Sequence, residues 1–193
     1  MIHAVLIFNT SGVPRLTKFY TPLRAESQPL LQKIFQLVST RPASLCNFLD
    51  APELQNLLGS KIGDEVRVVY RNYATLYFVF VVDGAESELG ILDLIQVFVE
   101  CLDRSFENVC ELDLVFHFDD VHHILAQVIQ GGLVLETNVD VIAQAVDEAS
   151  LARKTSFLSA NPLALGTGSG PRSSTLQTPL NWLTGKLGGI GAR

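Results

Sequence analysis

Residues 65–83, EVRVVYRNYATLYFVFVVD, hold β-branched and aromatic side chains at a higher density than any other part of the chain. This composition favours β-strand, and the polar pair Arg71-Asn72 interrupts it. We therefore predict two strands joined by a tight turn at this pair. The first strand alternates as a half-buried strand does. The second, residues 76–82, is apolar on both faces, which predicts a central strand in a sheet covered by helices on both sides.

The N-terminal segment predicts a second hairpin. Residues 2–9 are almost wholly apolar, so we expect another central strand. Ser11-Gly12 favours a turn, and the more polar residues 15–20 then form the returning strand.

The chain between the two hairpins predicts a helix, a short edge strand and a loop. Apolar residues follow helical spacing from about Arg24, and Pro42 ends the pattern. Residues 46–49 suit a short edge strand. Residues 50–64 mix Pro, Gly and polar side chains, so we predict a surface insertion or long loop without regular structure.

Helices are predicted beyond the second hairpin. A long helix is marked by apolar residues at three- and four-residue steps, namely Leu92, Ile95, Val99, Leu102 and Phe106. A further helix is expected from about residue 108 to 130, ending at Gly131-Gly132, although residues 112–118 have a strand-like composition. Asn138 favours the N-cap of a last helix, whose apolar face comprises Val139, Ile142, Ala143 and Val146.

The predicted fold class is α+β: an antiparallel five-stranded sheet covered by helices on both faces, with additional C-terminal helices. The composition changes after residue 152. Residues 161–193 are rich in Gly, Ser, Pro and Thr and lack sustained periodicity, so we predict a domain over 1–152 and a low-complexity, largely disordered tail over 153–193. A short partner-binding motif within the tail is suggested by Leu180, Trp182, Leu183 and Leu187.

Composition limits the classes of partner. The net charge of −6 argues against nucleic acid, which needs a basic surface. The three cysteines have no metal-ligand spacing, and their odd number suits reduced, buried thiols of a cytoplasmic protein. No segment approaches the roughly 20 apolar residues that cross a bilayer. Membrane contact is therefore expected only through a partner.

An enzyme is the alternative from another class. His117, Asp119, Asp120, His122 and His123 are the cluster most suited to bind a metal or transfer protons. Only Asp119 and His123 have the spacing of one helix face, and two ligands do not make a catalytic zinc site. A metal-dependent enzyme would require a third ligand near His123. The glycines of 166–170 follow no strand and do not form a phosphate loop. We therefore predict no enzyme, no cofactor and no metal.

The central hairpin also resembles a family motif. Val68-Val69-Tyr70-Arg71 is followed, after four residues, by Leu76-Tyr77-Phe78. These residues resemble the signature of the small (sigma) chains of clathrin-adaptor complexes, and seven fixed positions in eleven make chance agreement improbable. Residues 98–100 and 106–116 also look like family motifs, as do Gly12 and Arg15. Within the family, the segments most similar to the sigma chain of the type-three adaptor complex are residues 88–96 and 131–138.

The resemblance covers roughly residues 1–152 and implies a longin-like fold. It further implies a small subunit that assembles with two large adaptin subunits and one medium subunit. Such complexes sort membrane cargo from Golgi or endosomes to the lysosome or vacuole. The chain would then lie on Golgi, endosomal and vesicle membranes peripherally, as part of the complex. A longin-domain subunit of another trafficking or tethering complex is the nearer alternative, but it should lack the hairpin motif.

The resemblance also implies a binding site for acidic dileucine signals of cargo tails. The matching positions around the two leucine sockets are Ala74, Leu76, Val99, Asn108, Val109 and Leu114, with Arg15 near the acidic group upstream. Each buried leucine would contribute roughly 1.5–3 kcal/mol before ordering costs, and a cation favours a carboxylate. The plainer interpretation is that the apolar residues belong to the core and Arg15 is a solvated strand residue.

Overall fold

The computed structural model describes residues 1–22, 27–42, 45–58 and 65–160. The chain divides into two compact units, residues 1–152 and 153–193. Residues 161–193, with the predicted tail motif, lie outside the described residues, and the domain boundary stays a prediction. The elements are β1 (Ile2–Asn9), β2 (Pro14–Phe19), α1 (Ser27–Ser39), β3 (Phe48–Asp50), α2 (Pro52–Leu58), β4 (Val66–Tyr73), β5 (Leu76–Asp83), α3 (Glu88–Phe106), α4 (Glu111–Phe116), α5 (Phe118–Val128), β6 (Ile129–Gln130), β7 (Leu133–Val134) and α6 (Val139–Ala160).

The first five strands form one antiparallel sheet in the order β2-β1-β5-β4-β3. The strand predicted to be central, β5, lies in the middle, and β1 lies beside it. β3 is the predicted short edge strand. Phe78, Phe80 and Val82 of β5 face one side of the sheet, while Val79 and Val81 face the other. Both faces are buried because an apolar strand in the centre of a sheet must be covered twice.

Helices cover the two faces unequally. On one side, α1 and α2 pack through a core that includes Leu30, Ile34 and Leu54. On the other side, α3, α4 and α5 pack through a larger core, to which α6 adds Ile142. This confirms the predicted α+β class with helices on both faces. Among the helices of the described ranges, none combines the length and the apolar character needed to span a bilayer.

The turn of the central hairpin was wrongly predicted at Arg71-Asn72. Both residues lie within β4, paired with Phe78 and Tyr77, and the chain turns instead at Ala74-Thr75. The reason is that Arg71 finds a hydrogen-bond acceptor without leaving the strand. Its Nη1 donates to Gln96 Oε1 on α3 at 3.3 Å. A polar residue in an apolar run, Arg71, thus marked a side-chain contact to a helix.

Residues 50–64 were wrongly predicted to lack regular structure, because α2 forms within them. Pro52 begins this helix, where a missing N–H costs nothing, and Glu53 stands in its first turn. Leu54 is fully buried and fixes the helix to the sheet. Residues 59–64 lie outside the described residues.

The single helix predicted over 108–130 is two helices, α4 and α5, separated at His117 (φ −116°, ψ 37°). Gly131 and Gly132 do not cap a helix either. They form the turn between β6 and β7 with φ values of 60° and 81°. The predicted N-cap of α6 is confirmed, because Asn138 Oδ1 accepts from Asp140 N at 3.0 Å.

The cysteines differ from the prediction. Cys101 is buried, and burial raises the pKa of its thiol to about 11. Cys46 and Cys110 are exposed, so the expectation of buried thiols is correct for one of the three. All three are free.

Candidate functional site

Arg15 forms an ion pair with Glu111. Its side chain extends from β2, and Nη2 lies 2.6 Å from Glu111 Oε1 while Nε donates to the same oxygen at 2.8 Å. Asn9 Nδ2 donates to that oxygen as well, at 3.1 Å. The basic residue predicted to lie near a signal's acidic group is therefore already bound to an acid of its own chain.

Asn9 is the residue that organises this corner. It ends β1 and is buried, and its Oδ1 accepts from Ser11 N at 3.1 Å and Val13 N at 2.8 Å. An Asn that binds the backbone two residues on stabilises a turn, and this turn leads directly into β2. Gly12 within it has φ 79°, and a Cβ there would lie 2.7 Å from the Phe35 ring. The turn thus fixes where β2 begins and where Arg15 stands.

The acidic partner stays charged. Arg15 first, and Asn9 second, lower the pKa of the Glu111 carboxyl through their hydrogen bonds. The carboxylate begins helix α4, where a negative charge is also favoured by the helix dipole. At neutral pH the corner therefore contains an intact pair of opposite charges.

The four apolar site residues belong to one core cluster, on the α3 side of the sheet. Leu76 and Leu114 are part of its buried centre, with 5% and 1% of their surface exposed. Val99 and Val109 pack against the cluster and remain half-buried. Leu76, Val99, Val109 and Leu114 thus lie on the same side of the sheet, and two of them are covered in the isolated chain.

The two remaining site residues lie in exposed turns. Ala74 (φ 52°) stands in the β4–β5 turn, two residues before Leu76. Asn108 (φ 78°) follows Glu107 (φ 50°), and these consecutive left-handed residues redirect the chain from α3 to α4. Both positions adjoin residues of the apolar cluster in sequence, and neither belongs to the cluster itself.

A polar network joins the hairpin to α3 near this cluster. Gln96 Oε1 accepts from Arg71 Nη1 at 3.3 Å and from Tyr73 Oη at 2.5 Å. Gln96 Nε2 donates to Glu100 Oε1 at 2.7 Å, one residue beyond Val99. Tyr73 also packs edge-on against Phe78, with ring centroids 5.6 Å apart. These contacts hold the end of β4 against the helix that carries Val99.

Sequence reasoning missed Glu111 and Asn9. Glu111 lies 96 residues from Arg15, so no local spacing links the two. Asn9 offered a signal, since an Asn before a Ser-Gly turn favours an Asx-type turn. Its second role, donating to the carboxylate at the start of α4, depends on the tertiary fold.

The histidines of the enzyme alternative are placed among aromatic rings. The His117 ring lies 5.5 Å from that of Phe106, and the His122 ring lies 6.1 Å from that of Phe118. Burial, and secondly Lys18, lower the pKa of His122. Within the ranges that the structure describes, no group of three or more His, Cys, Asp or Glu residues is arranged to hold a metal ion.

Comparison with known proteins gives concordant matches. The family model for the clathrin adaptor complex small chain matches residues 1–153. The AP-3 complex subunit sigma of Schizosaccharomyces pombe is 62% identical over 146 residues, which cover 75% of this chain and 84% of that protein. Human AP-3 complex subunit sigma-2 is 52% identical over 164 residues, covering 84% and 82%. A chain from a homology model of the full-length AP-3 complex in a stretched open conformation matches with a TM-score of 0.61 and 47% identity, covering 81% of this chain and 97% of that one.

Proposed function

Because this chain belongs to the clathrin adaptor complex small chain family and is a sigma subunit of the AP-3 type, we propose that it assembles with two large adaptin subunits and one medium subunit. Small adaptor chains are not enzymes, so its function lies in binding. In this proposal the complex sorts membrane cargo from Golgi or endosomes to the lysosome or vacuole. The chain is then cytoplasmic and reaches Golgi, endosomal and vesicle membranes through the complex.

An exposed apolar segment supports assembly with larger partners. Leu112, Val115, Phe116 and Phe118 follow one another through α4 into α5, and Phe116 is 74% exposed. Single exposed apolar side chains are ordinary, but four large ones within seven residues are typical of a surface that a partner covers. We infer that a large subunit covers this segment.

We expect Phe116→Asp to reduce recovery of the large subunits severalfold when the complex is co-expressed and purified through this chain. A buried charge without a partner opposes the interface, whereas Phe116 contributes little to the fold because it is exposed. Gln32→Asp is the control, since it places the same acid on the exposed side of α1. Equal recovery from both variants would argue against the assigned surface.

We further propose that seven residues form the dileucine site, namely Arg15, Ala74, Leu76, Val99, Asn108, Val109 and Leu114. The observation that carries this proposal is the register of β1 and β5, in which Asn9 pairs with Leu76. Neighbouring strands lie roughly 5 Å apart, so Asn9, which contacts Glu111, stands beside Leu76, one of the predicted socket residues. An acidic group and a leucine of one short peptide are thereby within reach of Arg15 and the cluster. Of the four apolar site residues, Val99 and Val109 are the half-buried ones.

We expect Val99→Asp to weaken binding of an acidic dileucine peptide to the assembled complex by about ten- to a hundredfold, because one leucine socket is worth roughly 1.5–3 kcal/mol. Fluorescence anisotropy of a labelled peptide measures this. Val97→Asp is the matched control: Val97 is also half-buried on α3, but it lines a separate cavity near Val134. Unchanged peptide affinity in an intact Val99→Asp complex, or equal losses in both variants, would remove the site assignment.

A further inference from the structure

We propose that Glu111 competes with the acidic residue of a cargo signal for Arg15, and so determines how strongly binding depends on that acid. The inference rests on the proposed dileucine function and deepens it. It assigns a specificity-determining role to a residue outside the seven predicted site positions.

The Glu111 carboxylate contacts Arg15 as the carboxylate of a bound peptide would. One oxygen, Glu111 Oε1, receives Nε and Nη2 of Arg15 and Nδ2 of Asn9, at 2.8, 2.6 and 3.1 Å. A carboxylate that accepts from one guanidinium through two nitrogens, and from an amide as well, is well satisfied. A carboxylate from a peptide would offer Arg15 the same chemistry and must therefore replace this one.

Replacement does not require the core to open. The side chains of Arg15 and Glu111 are 26% and 29% exposed to solvent. Ion pairs accessible to water are worth little, with a typical range of about 0–1 kcal/mol. The internal carboxylate is thus held weakly enough to exchange with an external one, yet closely enough to reduce the gain from that exchange.

Two other acids of this region, Asp103 and Asp113, accept hydrogen bonds from backbone amides. Asp113 Oδ2 accepts from Cys110 N at 2.9 Å and so closes the first turn of α4. Asp103 Oδ1 accepts from Val109 N at 3.2 Å. Among the described residues, the ion pair of Arg15 is with Glu111. Glu111 is therefore the specific competitor in the described part of the chain.

A consequence for recognition follows. A signal without the acid leaves the Arg15–Glu111 pair intact and gains nothing from it. For a signal with the acid, the gain in binding free energy is only the difference between its own contact with Arg15 and the contact of Glu111 with Arg15. Removing the charge of Glu111 takes away the anion that Arg15 contacts in the described part of the chain, so the preference for the acidic signal should rise.

The test uses the assembled complex and two labelled dileucine peptides, one with the upstream Glu and one with Gln in its place. We expect Glu111→Gln to bind the acidic peptide about three- to fivefold more tightly, as the loss of one exposed ion pair allows, and to bind the Gln peptide within about twofold of wild type. Glu107→Gln is the control, because it removes an exposed acid four residues away. Adding Arg15→Gln to Glu111→Gln should abolish the gain.

Each other outcome has a distinct meaning. If Glu111→Gln weakens both peptides equally, Glu111 only holds α4 in place and the inference is overturned. If the ratio of the two affinities is unchanged, or if Glu107→Gln raises it as much, the inference is overturned while the dileucine function stands. If the wild-type complex binds neither peptide, both fail together.

Discussion

Replacing Phe98 with Ala will lower the free energy of unfolding by about 3–5 kcal/mol, the range for a buried aromatic residue reduced to Ala. Phe98 is completely buried on α3, and its ring packs edge-on against Phe78 of β5 with centroids 6.2 Å apart. The substitution therefore leaves a cavity between the principal helix and the central strand. Chemical denaturation of the full chain, followed by circular dichroism, measures the loss.

The control is Phe116→Ala, which removes the same side chain from a position that is 74% exposed. We expect it to change the free energy of unfolding by no more than about 0.5 kcal/mol, as for most surface substitutions. A comparable loss in both variants would mean that Phe98 does not join the helix layer to the sheet.

Gly132→Ala is expected to destabilise the chain by about 3 kcal/mol or more, through backbone strain and a steric clash together. Gly132 has φ 81°, and a Cβ there would lie 2.5 Å from the carbonyl oxygen of Ile2 and 3.0 Å from Met1 Cε. The Ile2 backbone cannot easily yield, because its N–H donates to the Gly132 carbonyl at 2.9 Å and β1 is paired on both sides.

Gly131→Ala separates the two causes. Gly131 also has a positive φ, 60°, but a Cβ there meets nothing within 4 Å. Gly131→Ala should therefore lower the free energy of unfolding only by the cost of a left-handed backbone conformation, about 1–2 kcal/mol. Thermal or chemical denaturation of both variants gives the difference. Equal losses would show that the close approach of Gly132 to β1 is relieved at no cost.

The sheet was predictable because its strands are simple in composition. β5 is apolar on both faces, and an apolar strand of that length has one stable location, the centre of a covered sheet. The errors arose where a residue type has two uses. Arg71 and Asn72 resemble turn residues, yet Arg71 extends to Gln96 on α3. Pro52 resembles a helix breaker, yet it begins α2.

The glycine pair and the α4–α5 break show a second limit. Gly131-Gly132 ends a helical pattern as a C-cap would, but tertiary packing against Ile2 requires a hairpin turn there. The positions of the site residues were predicted from the family resemblance. The contact between Arg15 and Glu111 spans 96 residues and forms only in the folded chain. Neither periodicity nor propensity reports on a contact between side chains so distant in sequence.

The position of β1 has a consequence for biosynthesis. Asn9 and Leu76 are partners across the β1–β5 ladder, 67 residues apart. At a synthesis rate of roughly 5–20 residues per second, β1 is made about 3–13 s before β5, the second of its two partner strands. During that interval an apolar strand has an open edge, which invites pairing with other chains. This edge of β1 stays open until Asp83 has emerged and β5 can pair with it.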